Sequence, residues 1–323
     1  MSELALEALL RTLVFPGLLF ATIFALFLQW VERKSVARIQ WRIGPKFTGP
    51  RGLLQPLYDF LKLLTKREIV PEGADPLLFR LAPAISLGVP VFGLALLPLS
   101  GIKSPLGFEG DFVLMLFVLS FGAFAMALAG FAVLSPYTSV GVGRHVLQYS
   151  VYEALLSIAL ILAALQAKAL SMEGVLSYQA QHGPLLIYQP LGFVAALLAL
   201  MAKLEKQPFD LPEAKQEIVG GWLTEYSGRG LAFLKLYKDL MLFFGASLMA
   251  VAYLGGPLGP GHDAAPIIGT AYFLLKVLLI SLLIFVVRGI AARIRVLALG
   301  EYFWVRLAPL LLAQAALVLL VLR

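Results

Sequence analysis

Eight times along this chain an apolar run of about 20 residues passes with almost no charge, as in FVLMLFVLSFGAFAMALAGFAVL at 112–134. That length spans a hydrocarbon core of ~30 Å as an α-helix. Lipid offers the backbone no hydrogen-bond partners, so such runs are helices whose bonds close internally. The pattern predicts an all-α polytopic membrane protein, one transmembrane domain over 1–323. Spans are expected at 12–31, 79–100, 112–134, 147–167, 185–204, 233–255, 266–287 and 302–322. The first run follows Glu3 and Glu7 and shows no small-residue cleavage pattern, so it reads as a retained helix rather than a signal peptide.

Charge placement orients these spans. Of the 26 Lys and Arg, 21 fall in or beside the stretches 32–78, 135–146, 205–232 and 288–301. The positive-inside rule puts those loops in the cytoplasm and both termini outside. The net charge of +7 is therefore a topology signal rather than a nucleic-acid footprint. Within the first loop, GLLQPLYDFLKLLTK (52–66) has apolar residues at helical spacing and a wet face at Asp59, Lys62 and Lys66. It predicts a helix lying in the interface plane. The chain has no cysteine and three scattered histidines, His145, His182 and His262. That excludes iron–sulfur ligation, thiolate zinc and disulfides on this chain, and leaves no His set for a haem or zinc triad. No phosphate-binding glycine motif is present.

Three groups of charges break the apolar pattern. The cassette EKQPFDLPEAKQEIVGGWLTEYSGRG (205–230) holds Glu205, Asp210, Glu213, Glu217 and Glu225 among three bases. Asp210 is placed to cap a short helix beginning Leu211-Pro212-Glu213, which would set Glu213 and Glu217 on one face. Two carboxylates so placed share protons, a cation or basic partners; the plainer reading is a solvated acidic loop. Glu153 and Lys276 lie deep inside expected spans, where a charge costs ~2.5–3.5 kcal/mol or more, so each is a functional candidate, with a structural ion pair as the plainer reading. Asp239 reads as an end-of-helix pair with Lys235 or Lys238. Arg33, Arg38 and Arg42 alternate with apolar residues after the first span, ready to bind anionic lipid heads or a partner subunit. Two classes fit these features: a secondary ion transporter, or the membrane anchor of a larger energy-converting complex. Transporters tend to carry repeated halves with broken helices, and no repeat is visible here.

Two stretches, ERKSVARIQWRIGPKFTGPRGLLQPLYDFLKLLTK (32–66) and PFDLPEAKQEIVGGWLTEYSG (208–228), resemble the signatures of respiratory complex I subunit 1, the family of the H subunit of NADH–quinone oxidoreductase. The resemblance extends through YFLLKVLLISLLIFVVRGIAARIRV (272–296) and covers nearly the whole chain. It implies a non-redox subunit joining a peripheral iron–sulfur arm to an ion-pumping membrane arm. Its partners would be a peripheral iron–sulfur subunit, a cluster-bearing large subunit, antiporter-like and small membrane subunits, and lipids. No cofactor is expected on this chain; the clusters belong to partners. It further implies that Glu32, Arg33, Arg38, Arg42 and Asp59 sit near a quinone chamber or the peripheral-arm interface. Glu153, Lys203, Glu205, Asp210, Glu213, Glu217, Glu225 and Lys276 would couple to ion movement. The chain departs from the family where Lys203 replaces a Glu, where Lys215 interrupts the acids of PEAKQE, and where Leu297 replaces an acid. SPYTSVGVGR (135–144) and EYSGRGLAFLKL (225–236) are more similar to the equivalent subunit of membrane-bound hydrogenases and related ferredoxin-linked complexes. The resemblance thus implies a ferredoxin-linked hydrogenase or sulfane-sulfur reductase type, with the quinone-chamber subunit as the alternative.

Overall fold

The computed structural model describes residues 17–104, 106–261 and 265–322. Residues 12–16 of the first expected span, both termini and His262 lie outside that set. Every described element is helical: α1 Leu18–Ile39, α2 Gln55–Thr65, α3 Pro76–Leu96, α4 Asp111–Phe131, α5 Pro136–Ala167, α6 Met172–His182, α7 Pro190–Lys203, α8 Gly228–Leu254, α9 Pro266–Ile290 and α10 Val296–Leu320. Short turns Lys215–Ile218 and Gly221–Leu223 lie between α7 and α8. A π-helical stretch, Glu301–Leu307, widens α10 near its start.

A helix stands at each of the eight expected span positions. Six of them (α3, α4, α5, α8, α9 and α10) are long and apolar enough to cross a membrane. α1 carries Glu32, Arg33, Lys34 and Arg38 in its last turns. α7 has 14 residues, about 21 Å of helix, short of a full crossing. Local signals set the starts. Asp75 Oδ1 accepts from the amides of Leu77 and Leu78 at 2.9 and 3.1 Å, and Pro76 occupies the first turn of α3, where its missing N–H costs nothing.

α8 is the axis of the bundle. Its most apolar window is 94% buried, against 28–56% for the other five long helices, so the rest wrap around it. α1, α2, α3 and α9 all pack on it. Close crossings use missing side chains, as expected where helices associate in lipid by packing alone. A Cβ at Gly93 of α3 would lie 2.5 Å from the Phe244 ring of α8.

The helices extend beyond their expected ends at one pole of the bundle. α5 begins at Pro136, eleven residues before the expected span, so 136–146 of the expected loop 135–146 is helix. Its glycines and hydroxyls suggest a loop. They instead admit a neighbour: a Cβ at Gly141 would meet the amide of Trp222 at 2.7 Å. α1 likewise continues through Arg38, and α8 starts at Gly228. We call this pole, with connections 40–54, 66–75, 204–227 and 291–295, the basic end. The opposite pole, with 97–104, 106–110, 168–189 and 255–261, is the far end.

Candidate functional site

The cassette between α7 and α8 is not a solvated loop. Phe209, Leu211, Ala214 and Trp222 are buried. Gln148 of α5 donates to the carbonyls of Ala202 (2.6 Å) and Phe209 (2.9 Å), and the Tyr226 hydroxyl donates to Ala129 O (2.7 Å). Irregular backbone at this depth is tolerated because protein groups satisfy it. The expected helix at 211–213 does not form. The only turn of helix there is Lys215–Ile218, and Asp210 caps nothing. Its two oxygens instead accept from Arg293 Nε (2.7 Å) and an Arg293 terminal nitrogen (2.5 Å), a forked pair that ties the cassette to the α9–α10 connection. That hydrogen bond, outweighing burial, raises the Arg293 pKa.

With no helix at 213, Glu213 and Glu217 do not share a face. Each has its own base: Glu217 pairs with Arg144 of α5, and Glu213 with Lys238 of α8. Lys238 also holds Glu205, so one ammonium serves two carboxylates, and it lies 5.1 Å from the centre of the Trp222 ring. The second oxygen of Glu205 meets His145 Nδ1 at 2.6 Å. Glu205 is 6% exposed. Burial pushes its carboxyl up, but Lys238 and His145 outweigh it and hold the pKa at about 2. On helical geometry Lys203 and Glu205 would diverge by about 200°. Instead α7 ends at Lys203 and Glu205 turns left-handed (φ 50°), so both line one cavity of about 10 Å³ with His145, Tyr237 and Lys238. That is room for a single water.

Beyond the cavity the path continues inward. The ammonium of Lys203, 7% exposed, donates to Leu119 O at 2.6 Å and faces Glu153 Oε2 at 3.7 Å. Glu153 Oε1 accepts from Ser120, while its Oε2 has no hydrogen bond. Acids and bases therefore alternate in space: Glu213, Lys238, Glu205, then Lys203 and Glu153 across the small cavity.

A second cluster surrounds the end of α1. Glu32, 3% exposed, is held by Lys206 Nζ at 2.7 Å and by Arg288. Arg33 donates to Asp59 Oδ2 at 2.7 Å, and Gln55 to Oδ1 at 2.8 Å. Burial raises Asp59, but these two bonds and the Arg33 charge leave its pKa lowered. Asp239 is no end-of-helix pair. It is buried and accepts from Gln29 at 2.7 Å, while Lys238 turns to the glutamates. Arg33, Asp59 and Asp239 line a cavity of about 230 Å³ between α1, α2 and α8, together with the apolar Leu26, Phe60 and Leu63. The expected interfacial helix α2 thus forms one wall of a chamber.

Three expected residues stand apart. Arg38 and Arg42 are exposed, beside Trp41 (97% exposed) and Phe47 (94%). Glu225 makes no ion pair among the described residues. Lys276 does not join Glu153: it donates to Leu258 O at 2.6 Å, toward the far end, and no described carboxylate pairs with it. The residues that sequence reasoning missed are the bases and the histidine: Arg144, His145, Lys206, Lys238, Arg288 and Arg293. One signal was there. His145, Tyr149 and Glu153 recur every four residues and so share a face of α5.

Residues 12–319 match the family described as NADH dehydrogenase. The chain is 36% identical over 301 residues to the second H subunit of NADH-quinone oxidoreductase from Syntrophobacter fumaroxidans, covering 90% of this chain and 88% of the relative. It is 36% identical over 309 residues to the H subunit of the same oxidoreductase from Thermomicrobium roseum, covering 90% and 89%. It is 33% identical over 316 residues to the H subunit from Dehalococcoides mccartyi, covering 97% and 86%.

Proposed function

Since the chain belongs to the NADH dehydrogenase family of complex I-type membrane subunits, we propose that it anchors a peripheral iron–sulfur arm at its basic end and relays charge from that arm into the membrane. The alternation from Glu213 through Lys238, Glu205 and Lys203 to Glu153 carries the reading. A buried carboxylate without its base is costly, so displacing one lysine strands the next acid, which must then take a new partner or a proton. A disturbance at Glu213 propagates inward in that way. Clusters and catalysis would reside on partner subunits; this chain supplies the charges. Its exposed Arg38, Arg42, Trp41 and Phe47 offer the partner a basic and aromatic surface. The membrane is the cytoplasmic membrane in this reading, with the basic end in the cytoplasm.

For the finer type we favour a ferredoxin-linked complex of the hydrogenase or sulfane-sulfur reductase kind. Lys203 puts a cation where a quinone-driven proton path would use an acid, and Lys215 and Leu297 remove two further acids. The chamber of Arg33, Asp59 and Asp239 favours the second reading: its volume and its mixed polar and apolar lining suit a quinone head group. The purified complex decides by its acceptor, whether protons, sulfane sulfur or a quinone.

The relay is tested in inverted vesicles by measuring ion uptake and electron transfer together. Glu213→Gln, Glu217→Gln and Glu153→Gln should each leave the complex assembled and lose most coupled transport. Glu217, on an exposed pair, should lose least. Wild-type uptake in all three would leave the ion pairs a purely structural role. Charge reversal at both Arg38 and Arg42 should release the peripheral arm in a salt-dependent manner; normal assembly would move the docking surface elsewhere.

A further inference from the structure

His145 occupies a position that neither the sequence pattern nor the relay above assigns. It is 6% exposed on α5, and both ring nitrogens face oxygen acceptors: Nδ1 lies 2.6 Å from Glu205 Oε1, and Nε2 lies 3.0 Å from the carbonyl of Ala123 on α4. A neutral imidazole carries one N–H and one lone pair. Either neutral tautomer therefore sets a lone pair against an oxygen. A protonated Glu205 would relieve one tautomer, but the Lys238 ammonium on its other oxygen favours the ionised carboxylate.

The charge count of the cluster points the same way. The carboxylates are Glu153, Glu205 and Glu213; the lysines are Lys203 and Lys238. Three acids against two bases leave one unit of negative charge in a buried to half-buried group of side chains. Tyr152 and Tyr237 face the same carboxylates and supply no positive charge. From α4 the ring meets a carbonyl and Met126, and the neighbouring Arg144 is engaged by Glu217.

We infer that His145 is an imidazolium in this structure and is the proton-holding residue of the relay. When it discharges, the Nδ1–H bond breaks and the proton passes to Glu205 Oε1 or to a water in the adjoining cavity. The neutral ring keeps its Nε2–H on Ala123. The cluster gains one negative charge only when the proton leaves both groups. Lys203, which lines the same cavity, is then drawn toward Glu205 and away from Glu153. This last consequence rests on the relay reading; the protonation itself does not.

The test therefore reads stability, not transport. The assembled complex in detergent is heated at a series of values from about pH 6 to pH 8, the range in which histidine changes charge. The temperature at which this subunit dissociates is recorded. The wild-type midpoint should fall as pH rises, because the imidazolium is lost. His145→Gln should lower the midpoint by several degrees and abolish the slope, since Glu205 is left with too little positive charge. His145→Gln combined with Glu205→Gln removes both charges, leaving Lys238 on Glu213 and Lys203 on Glu153. The double variant should recover the low-pH wild-type midpoint and stay flat. A His145→Gln variant with wild-type midpoint and slope would make His145 a neutral core residue and overturn the inference. A lowered midpoint that the double variant does not restore would reduce its role to packing and overturn it equally. Loss of ion transport in other variants with these outcomes unchanged would instead bear on the relay alone.

Discussion

The two poles of this bundle both bury polar side chains and satisfy them with different chemistry. At the far end most of the groups are neutral amides and hydroxyls, and the buried acid there, Asp111, is bound to backbone, accepting from the amide of Met172 at 2.7 Å. Gln179 donates to Val251 O at 2.8 Å, Gln189 donates to Leu162 O at 2.9 Å and to Gln166 Oε1 at 2.6 Å, and the Tyr253 hydroxyl donates to Ala159 O at 2.7 Å. At the basic end the groups are ionised: Glu32 with Lys206 and Arg288, Glu205 with Lys238 and His145, Asp210 with Arg293. An amide bonded to a carbonyl has one state and holds helices together. A carboxylate shared with a lysine has several, because the lysine can move or a proton can arrive. The fold keeps one pole fixed and makes the other responsive, at the pole where the exposed arginines and aromatics are also gathered.

Substitutions can break or sharpen this contrast. The largest effect is expected at Glu32. Its change to Leu leaves the ammonium of Lys206 buried without its acid, and breaking a buried pair in this way costs about 3–5 kcal/mol. The expected outcome is loss of the assembled complex, read on native gels, with partial recovery when Lys206→Leu is added. Next comes the acid limb. The Glu205 pKa is depressed to about 2, so its stabilisation is complete above the unfolded value of 4.5 and is lost as pH falls from there toward 2. Thermal melts across that window should drop more steeply for wild type than for Glu205→Gln. A smaller effect belongs to the far end: Gln189→Leu leaves the buried Gln166 oxygen without its donor, for about 1–3 kcal/mol. It should lower the melting temperature while leaving the ratio of ions moved to electrons transferred unchanged. A change in that ratio would show that the far end is not merely fixed. Least of all, Lys276→Met should alter stability by no more than about 0.5 kcal/mol and leave the ratio intact. Lys276 lies apart from the acid–base path, with a carbonyl as its partner. Loss of transport in that variant would extend the responsive region to the far end.

Much of this is legible in the order of residues alone. The apolar runs located every long helix, because burial in lipid imposes length and apolarity on each span by itself. The amphipathic spacing of 52–66 located α2, and the depth of Glu153 marked it as a functional candidate. What the sequence misplaced were ends and partners. Pro136–Arg144 reads as a loop from its glycines and hydroxyls, yet continues α5 because those small side chains admit Gly221 and Trp222. Asp210 and Glu213 read as a capping box, yet answer to Arg293 and Lys238.

The sequence by itself determined that the chain is a polytopic helical membrane protein, which pole gathers its charge, and which acids lie deep in the apolar runs. Each follows from the local balance of hydration against burial, a property of consecutive residues. Only the tertiary structure decided which base meets which acid. Those pairs join residues 25 to 256 positions apart across separate helices. A left-handed turn at Glu205 brings it into the same small cavity as Lys203, and the crossing of α5 with α4 aims both nitrogens of His145 at oxygen. An ion pair forms where packing leaves two side chains within reach. That depends on how the helices settle around α8, which no single stretch of sequence encodes.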